Sequence, residues 1–423
     1  MNTTLRVELL GVIAACACIA GCGGGGTGSS GSGPTNPAPP ASSVAITLAC
    51  PPQIQIGVTS PSTYVCTAKV SGTSNTAYSL VLTGSGDSNR ATLDANTGVL
   101  TPSNTNTGSV TVTATATADS TKTATATVKV VDWILTQSQS IGVAIVNGDG
   151  TGYTTILRNA YTGTNNICDQ VAWRPDHLAF LCNEGGPYGD GYVIDIYQTD
   201  GTAAGTTKVS SIGSPPVSGG TVVCTGGPCL FDSANDARFS PDGQTIVTMA
   251  VAPGGSGGFG GAVFGVWTVD ASGKNAPVLV YSPPPSLHFD VPAYFTPNGK
   301  QITFWNPAND AIWIVNADGT NAHQLIASES YLPAIFSPDG TALYYNGPDG
   351  VYIAKPDGSN PVKILAGNIT NNSGYQLVGL SPNGKSILIL NNGSDLYSAD
   401  AITGGNLHAV LVGSGWIYTT WWY

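Results

Sequence analysis

The chain is short of charge. Only 9% of its residues are Asp, Glu, Lys or Arg, with 25 acidic against 14 basic and a formal net charge of −11. No basic stripe is available to neutralise phosphates, which argues against nucleic acid and anionic lipid surfaces as partners. Histidine is scarcer still: His177, His288, His323 and His408 are the whole supply. The apolar run near the start, Leu9 to Ala20, has 12 residues, too few to cross a bilayer as a mature helix. Helical periodicity is missing from the repeated segments that fill the last 260 or so residues. Gly, Thr, Ser and Asn are abundant instead, a composition suited to an exported protein made of strands and turns.

The N-terminal residues have the organisation of a processing segment. Arg6 offsets Glu8 in a weakly basic stretch, and the following apolar run has the length of a signal-peptide core. Ile19-Ala20-Gly21-Cys22 resembles the bacterial lipobox. The resemblance implies a signal peptide of residues 1–21, cleavage before Cys22 and diacylation of its thiol. The alternative is an ordinary small-residue cleavage site with a stray cysteine. Gly23 rather than Asp follows the cysteine, which by the same resemblance implies the outer membrane of a diderm cell. From Gly23 to Ser43 the residues are almost only Gly, Ser, Thr, Pro, Asn and Ala. Such a segment cannot bury a core, and with Cys22 it forms a flexible tether over 22–43, reaching roughly 25 Å.

Six cysteines remain beyond Cys22: Cys50, Cys66, Cys168, Cys182, Cys224 and Cys229. They allow 15 pairings, of which sequence proximity favours 50–66, 168–182 and 224–229. If the strand over 168–173 turns at Pro175 and returns over 178–183, pairing 173 with 178 puts 168 opposite 183. Cys182 is then within one residue of facing Cys168. An oxidising compartment is the natural setting for such pairs. A metal site is the alternative, but no ligand-like histidine accompanies these cysteines.

Residues 44–132 read as short strands rich in Val, Thr, Ala and Tyr. Two of them, 109–116 and 124–131, alternate strictly and are expected to be half-buried. The phrase Ala-Thr-Leu-Asp-Ala-Asn-Thr-Gly-Val-Leu-Thr-Pro at 91–102, followed by a Gly-x-Val-Thr-Val-Thr-Ala strand, resembles the bacterial Ig-like group 2 domains. The resemblance implies one β-sandwich acting as a spacer, or less often as an adhesive surface.

Beyond it one phrase recurs five times. The copies are Trp173-Arg174-Pro175-Asp176-His177, Phe239-Ser240-Pro241-Asp242-Gly243, Phe295-Thr296-Pro297-Asn298-Gly299, Phe336-Ser337-Pro338-Asp339-Gly340 and Leu380-Ser381-Pro382-Asn383-Gly384. Their leading residues are 66, 56, 41 and 44 positions apart, a unit of about 40 residues with insertions in the first two. Each unit resolves into four strands. In one copy these are Val291–Phe295, Gln301–Trp305, Ala311–Asn316 and Ala322–Ile326, with Asn-Gly and Asp-Gly supplying positive φ at the turns. Residues 133–158 supply the last three strands of a unit without a first, and 416–423 supply a first strand without successors. Joined, the two ends complete a sixth unit and remove the open edges. The pattern resembles the TolB-type β-propeller with its WD-like repeats, over residues 133–423. The expected architecture is therefore all-β: an Ig-like sandwich, then a six-bladed propeller closed by the C-terminal strand. Two departures stand out. The first copy has His177 where the others have glycine, and Asn298 and Asn383 replace Asp; both are expected to weaken individual turns.

The strand order places both short turns on one face and the insertions at Glu184–Gly191, Ile212–Ser233, Pro253–Gly261 and Pro283–Asp290 on the other. Long connections on one side of a rigid scaffold are where recognition usually sits. The first strands start on that face with Asp169, Asp236, Asp290, Tyr331 and Tyr375, and His288 and Glu329 lie close by. An acidic, aromatic-rimmed channel mouth is expected there, able to bind a cation, a basic peptide segment or a sugar. The plainer reading is that these carboxylates cap loops and solvate the channel. Gly254-Gly255-Ser256-Gly257-Gly258 matches Gly-x-Ser-x-Gly but lies in a glycine loop rather than between a strand and a helix. Asn147-Gly148-Asp149-Gly150 begins like a calcium loop without its closing Glu. The four histidines do not converge on the repeat pattern, so neither a metal centre nor a cofactor is expected. The expected function is a lipid-anchored, monomeric, noncatalytic binding platform for an envelope protein or glycan. The alternatives are a hydrolase or lyase acting at the mouth, with Asp169, Asp236 and Asp290 as its carboxylates, and a surface adhesin.

Overall fold

A computed structural model of the protein describes residues 43–56, 64–103, 106–138, 141–158, 166–185, 191–212, 233–252, 263–282, 292–327, 332–367, 374–391, 393–412 and 417–421. All of them belong to one compact unit, Ser43–Tyr423. The described chain is all-β apart from a single 3₁₀ turn, Asp87–Asn89.

The segment from residue 43 to residue 132 builds sheets separate from the six that follow. Its main sheet runs Gln53–Gln55, Thr123–Val131, Gly108–Ala116, Tyr78–Leu82, with the short edge strand parallel to its neighbour. Two further pairs, Ala45–Ala49 with Thr67–Ser71 and Ala91–Leu93 with Leu100–Pro102, complete it. Val110, Val112 and Ala114 alternate with more exposed threonines, as the period-2 pattern requires of a half-buried strand. Their buried face packs with Ile54, Tyr64, Leu80 and Leu100 into a core closed by the Cys50–Cys66 disulfide. Each fully buried aliphatic or aromatic side chain there contributes about 1.5–3 kcal/mol.

Six four-stranded antiparallel sheets follow, here numbered I to VI. Sheet I is Ile417–Trp421, Trp133–Ser138, Gly142–Asn147 and Thr154–Arg158, so its first strand comes from the far end of the chain. Sheet II is Asn166–Trp173, Ala179–Gly185, Gly191–Gln198 and Thr207–Ile212. Sheet III is Ser233–Phe239, Thr245–Ala252, Val263–Asp270 and Val278–Tyr281. Sheet IV is Ala293–Phe295, Gln301–Asn306, Ala311–Asn316 and His323–Ile326. Sheet V is Ile335–Phe336, Leu343–Gly347, Gly350–Ala354 and Val362–Ala366. Sheet VI is Tyr375–Leu380, Ser386–Asn391, Asp395–Asp400 and His408–Leu411.

A separate hydrophobic core lies between each successive pair of sheets. Leu135 and Ile145 of I meet Val171 and Phe180 of II, and Leu181 and Ile196 of II meet Ile246 and Ala250 of III. The series continues through IV, V and VI, and Leu388 and Leu396 of VI pack on Ile134 and Val146 of I. Middle strands covered on both faces cannot alternate, which is why Trp133–Ser138 is buried at every position. The first strands stand side by side: II against III, III against IV, VI against I, and I against II.

In sheet II the register differs from the sequence expectation. Trp173 pairs with Phe180, not with residue 178, and Val171 pairs with Cys182. The Arg174 N–H donates to the Ala179 carbonyl, so the turn takes two more residues than expected. A bulge between Asn166 and Gln170 brings Cys168 within a Cα–Cα distance of 5.1 Å of Cys182, and the disulfide forms. Cys224 and Cys229 lie outside the described residues, as does Cys22.

Candidate functional site

The repeated turn works through its side chains. In sheet III the Ser240 hydroxyl donates to Asp242 Oδ1 at 2.6 Å and accepts the Thr245 N–H at 2.9 Å. Asp242 in turn accepts the Gln244 N–H at 3.0 Å. Proline presets φ before the turn, and the glycine takes the positive φ that ends it. Sheets IV, V and VI repeat the network. Asn298 and Asn383 accept the same bonds as Asp, so these substitutions break no contact in the turn.

Successive turns also lie against one another, except at Gly340, where an added Cβ would meet nothing within 4 Å. A Cβ on Gly243 would come 3.2 Å from Arg174 and 3.8 Å from Pro175, one on Gly299 3.7 Å from Pro241, and one on Gly384 3.2 Å from Pro338. Sheet II departs from this pattern, because its predecessor, sheet I, is assembled from two chain ends and has no Pro-bearing turn. His177 occupies the glycine position at φ 55°, beside glycines at 68° to 71°. A left-handed conformation is uncommon outside glycine, although histidine tolerates it better than most residues.

The imidazole is fully buried and stacks on Trp173, with ring centroids 5.2 Å apart and planes 21° from parallel. Neither ring nitrogen has a hydrogen-bond partner, and the same holds for the Trp173 indole N–H, itself only 5% exposed. Leaving such a group unsatisfied costs about 1–3 kcal/mol. Burial holds the imidazole neutral, its pKa pushed down to about 3. It therefore offers one donor and one acceptor.

Trp173 and His177 line a cavity of about 60 Å³ at the turn ends of the first strands. Phe239, Phe295 and Phe336 form its aromatic wall, and Pro175, Pro241 and Pro297 come from the turns. Arg238 and Tyr294 also line it. The Arg238 guanidinium donates to Asp236 Oδ1 and to the Ala237 carbonyl, each at 2.7 Å, and lies 5.9 Å from the Tyr294 ring centre. Both ion-pair partners are almost wholly buried, and burial pushes the Tyr294 phenol upward. A shallower groove of about 540 Å³ between the turns of III and IV shares Pro241, Phe295 and Pro297 with the cavity.

The sequence-derived mouth residues are placed unevenly. Asp236 sits at φ 48° in the bulge of its strand, its N–H on Gln170 Oε1 and its carboxylate on Arg238. Tyr375 begins the first strand of sheet VI, half-buried, with its ring edge-on to Tyr397 at 6.2 Å. Asp169 lies in the bulged part of the first strand of sheet II. His288, Asp290, Glu329 and Tyr331 are outside the described residues. The cavity was not among the sequence expectations. Its signal was present, because the first repeat alone leads with Trp and alone replaces glycine.

No family model and no curated protein matches the sequence. Among solved structures, the chain is similar to TolB from Acinetobacter baumannii at 12% identity and a TM-score of 0.46, over 89% of this chain and 99% of that one. It is similar to the TolB candidate of Agrobacterium tumefaciens at 17% identity and a TM-score of 0.41, over 66% and 88%. A chain from a nidogen–laminin complex gives 11% and 0.48, over 68% and 97%. The structural neighbours thus include TolB-type β-propeller proteins.

Proposed function

We propose that the protein is a lipid-anchored, monomeric cell-envelope protein whose six sheets are the blades of a propeller used as a noncatalytic binding platform. In this reading Cys22 carries the lipid, residues 23–43 are the tether, and residues 44–132 are an Ig-like sandwich that lifts the propeller from the membrane. The observation that carries it is the composition of sheet I. Ile417–Trp421 pairs with Trp133–Ser138 while sheet VI packs on sheet I, the arrangement expected of a ring with no free inner edge.

A closed ring keeps its connections in fixed relative positions, which suits recognition. The connections at 186–190, 213–232, 253–262 and 283–292 join strand ends opposite the hydrogen-bonded turns. That face, with Asp169, Asp236, His288, Asp290, Tyr331 and Tyr375 at its centre, is the working face for an envelope protein or glycan. The Cys50–Cys66 and Cys168–Cys182 disulfides support an oxidising compartment, periplasmic or cell-surface, and the anchor belongs in the outer membrane.

The test is crosslinking in intact envelopes with the full-length protein, beside a version lacking 212–233 and 253–261. A specific partner captured by the first and lost by the second is expected; partners that ignore the deletion would overturn the reading. Cys22→Ser is expected to abolish lipid labelling and release the protein from membranes.

A further inference from the structure

One wall of the groove between the turns of sheets III and IV departs from the repeat. Thr268, on the third strand of sheet III, pairs with Val247. The equivalent residue is Ile145 in sheet I, Ile196 in II, Ile314 in IV and Ile353 in V, and each packs into the core shared with the next sheet. In sheet VI it is Ser398. Where four sister sheets close the gap with isoleucine, sheet III presents a threonine, which lines the groove and is 9% exposed. Its hydroxyl has no hydrogen-bond partner among the described residues, yet its oxygen is not sealed off as the ring nitrogens of Trp173 and His177 are.

Three more polar groups border the same space. Asp242 accepts from Ser240 and Gln244 through Oδ1, which leaves Oδ2 over. Asn298 accepts through its own Oδ1, which leaves Nδ2. Thr245 adds a second hydroxyl, and half-buried Phe295 supplies an apolar surface together with Pro241 and Pro297. The volume of about 540 Å³ lies within the range of about 300–1,000 Å³ usual for small-ligand sites. Among the described residues no basic side chain lines the groove, so an anion would meet the Asp242 carboxylate, held ionised by its hydrogen bonds, without a counter-charge. A cation would find only that one exposed carboxylate, a contact of little worth in water. Thr245 and Thr268 belong to middle strands, so an extended backbone meets no free strand edge beside them. A neutral molecule with an apolar face and hydroxyls around it satisfies all of these groups.

We propose that this groove binds a neutral saccharide, with the C–H face of one sugar ring lying on Phe295. The sugar hydroxyls donate to Asp242 Oδ2 and accept from Asn298 Nδ2, and the Thr245 and Thr268 hydroxyls both give and take along the wall. The site is at the opposite strand ends from the proposed channel mouth and rests neither on that mouth nor on the lipid anchor.

Each test variant borrows a residue that a sister sheet already uses. Thr268→Ile follows sheets I, II, IV and V, Asp242→Asn follows the turns of IV and VI, and Phe295→Leu follows the leading residue of VI. The probes are cellotriose, maltotriose and triacetylchitotriose, beside the acidic trigalacturonate and the capped peptide acetyl-Thr-Ala-Ser-amide. Binding to the full-length protein is followed by calorimetry and by the methyl resonance of Thr268. At least one of the neutral trisaccharides is expected to bind saturably, to shift that resonance, and to bind about tenfold more tightly than trigalacturonate or the peptide. All three variants are expected to lose about tenfold in affinity for it while keeping the wild-type strand content by circular dichroism. No saturable shift from any of the three at about 10 mM would overturn the proposal, since weaker binding than that is not recognition. So would undiminished affinity in the folded variants, or equal affinity for the capped peptide.

Discussion

Removing the Arg238 guanidinium leaves the Asp236 carboxylate buried without its cation, and that asymmetry gives the pair its experimental handle. Arg238→Met is expected to cost about 3–5 kcal/mol, read from urea denaturation, while adding Asp236→Asn recovers part of the loss. His177 has a handle of a different kind. Its unfolded pKa is ordinary, near 6.5, and its folded pKa is about 3, so between those values the unfolded chain binds the extra proton. Stability is therefore expected to fall as pH drops from about 6.5 towards 3, and His177→Gly should flatten that part of a pH series of melting temperatures. The sequence made His177 visible as a misfit in a repeat but gave no reason for it. What lies beside it is a tertiary matter: sheet I offers no Pro-bearing turn for it to lie against. Asp236 is the converse case, a residue picked for its place at a strand start whose ion pair depends on a bulge no pattern announces.

At the scale of the element, the second turn of every sheet is an Asx turn. Asp149, Asp200, Asp270, Asp318, Asp357 and Asp400 each accept from a residue two or three positions on. These hydrogen bonds hold all six carboxyls below the usual range. Their stabilisation is present above the unfolded value, near 4, and is lost as pH falls through the lower folded values. A second, steeper loss of stability is thus expected below about pH 4, unaffected by His177→Gly. The Cys168–Cys182 link closes a loop of 14 positions, so Cys168→Ser with Cys182→Ser is expected to lower stability by about 2–4 kcal/mol, checked by thermal unfolding. Strands and turns were legible because Asp-Gly and Asn-Gly fix the turns and leave little freedom to the segments between. Ala311–Asn316 was placed to the residue, and the other strands of its sheet to within two. Registers were less legible. In all six sheets the third strand carries a bulge against the fourth, at Ile196/Tyr197, Ile312/Trp313 and their equivalents, and such an extra residue shifts every pairing after it.

Across the whole molecule, the N-terminal module is bonded to the sheets as well as linked to them. Gln53 donates to the Thr199 carbonyl at 2.7 Å, Tyr64 to that of Asp176 at 2.7 Å, and the Trp133 N–H to Gln55 Oε1 at 3.0 Å. Leu178 of the sheet II turn packs into the module's core. A chain beginning at residue 133 is therefore expected to melt at a lower temperature than the full protein, and the full protein to unfold in one calorimetric transition. The succession of sheets could be read from spacing, whereas this docking could not, since Gln53 and Tyr64 belong to no repeat. Sheet I has a consequence for the order in which the molecule is made. Leu135 must wait for Trp421, about 290 residues later, before its sheet is complete. Closing so long a loop costs roughly 5 kcal/mol of chain entropy. During synthesis, sheets II to VI can assemble while the hydrogen-bonding edge of Trp133–Ser138 stays unpaired. A chain cut after residue 411 is expected to retain most of its strand content and to aggregate through that edge, as light scattering would register. Completion of sheet I is thus expected to be the last step of folding, because it awaits the strand Ile417–Trp421.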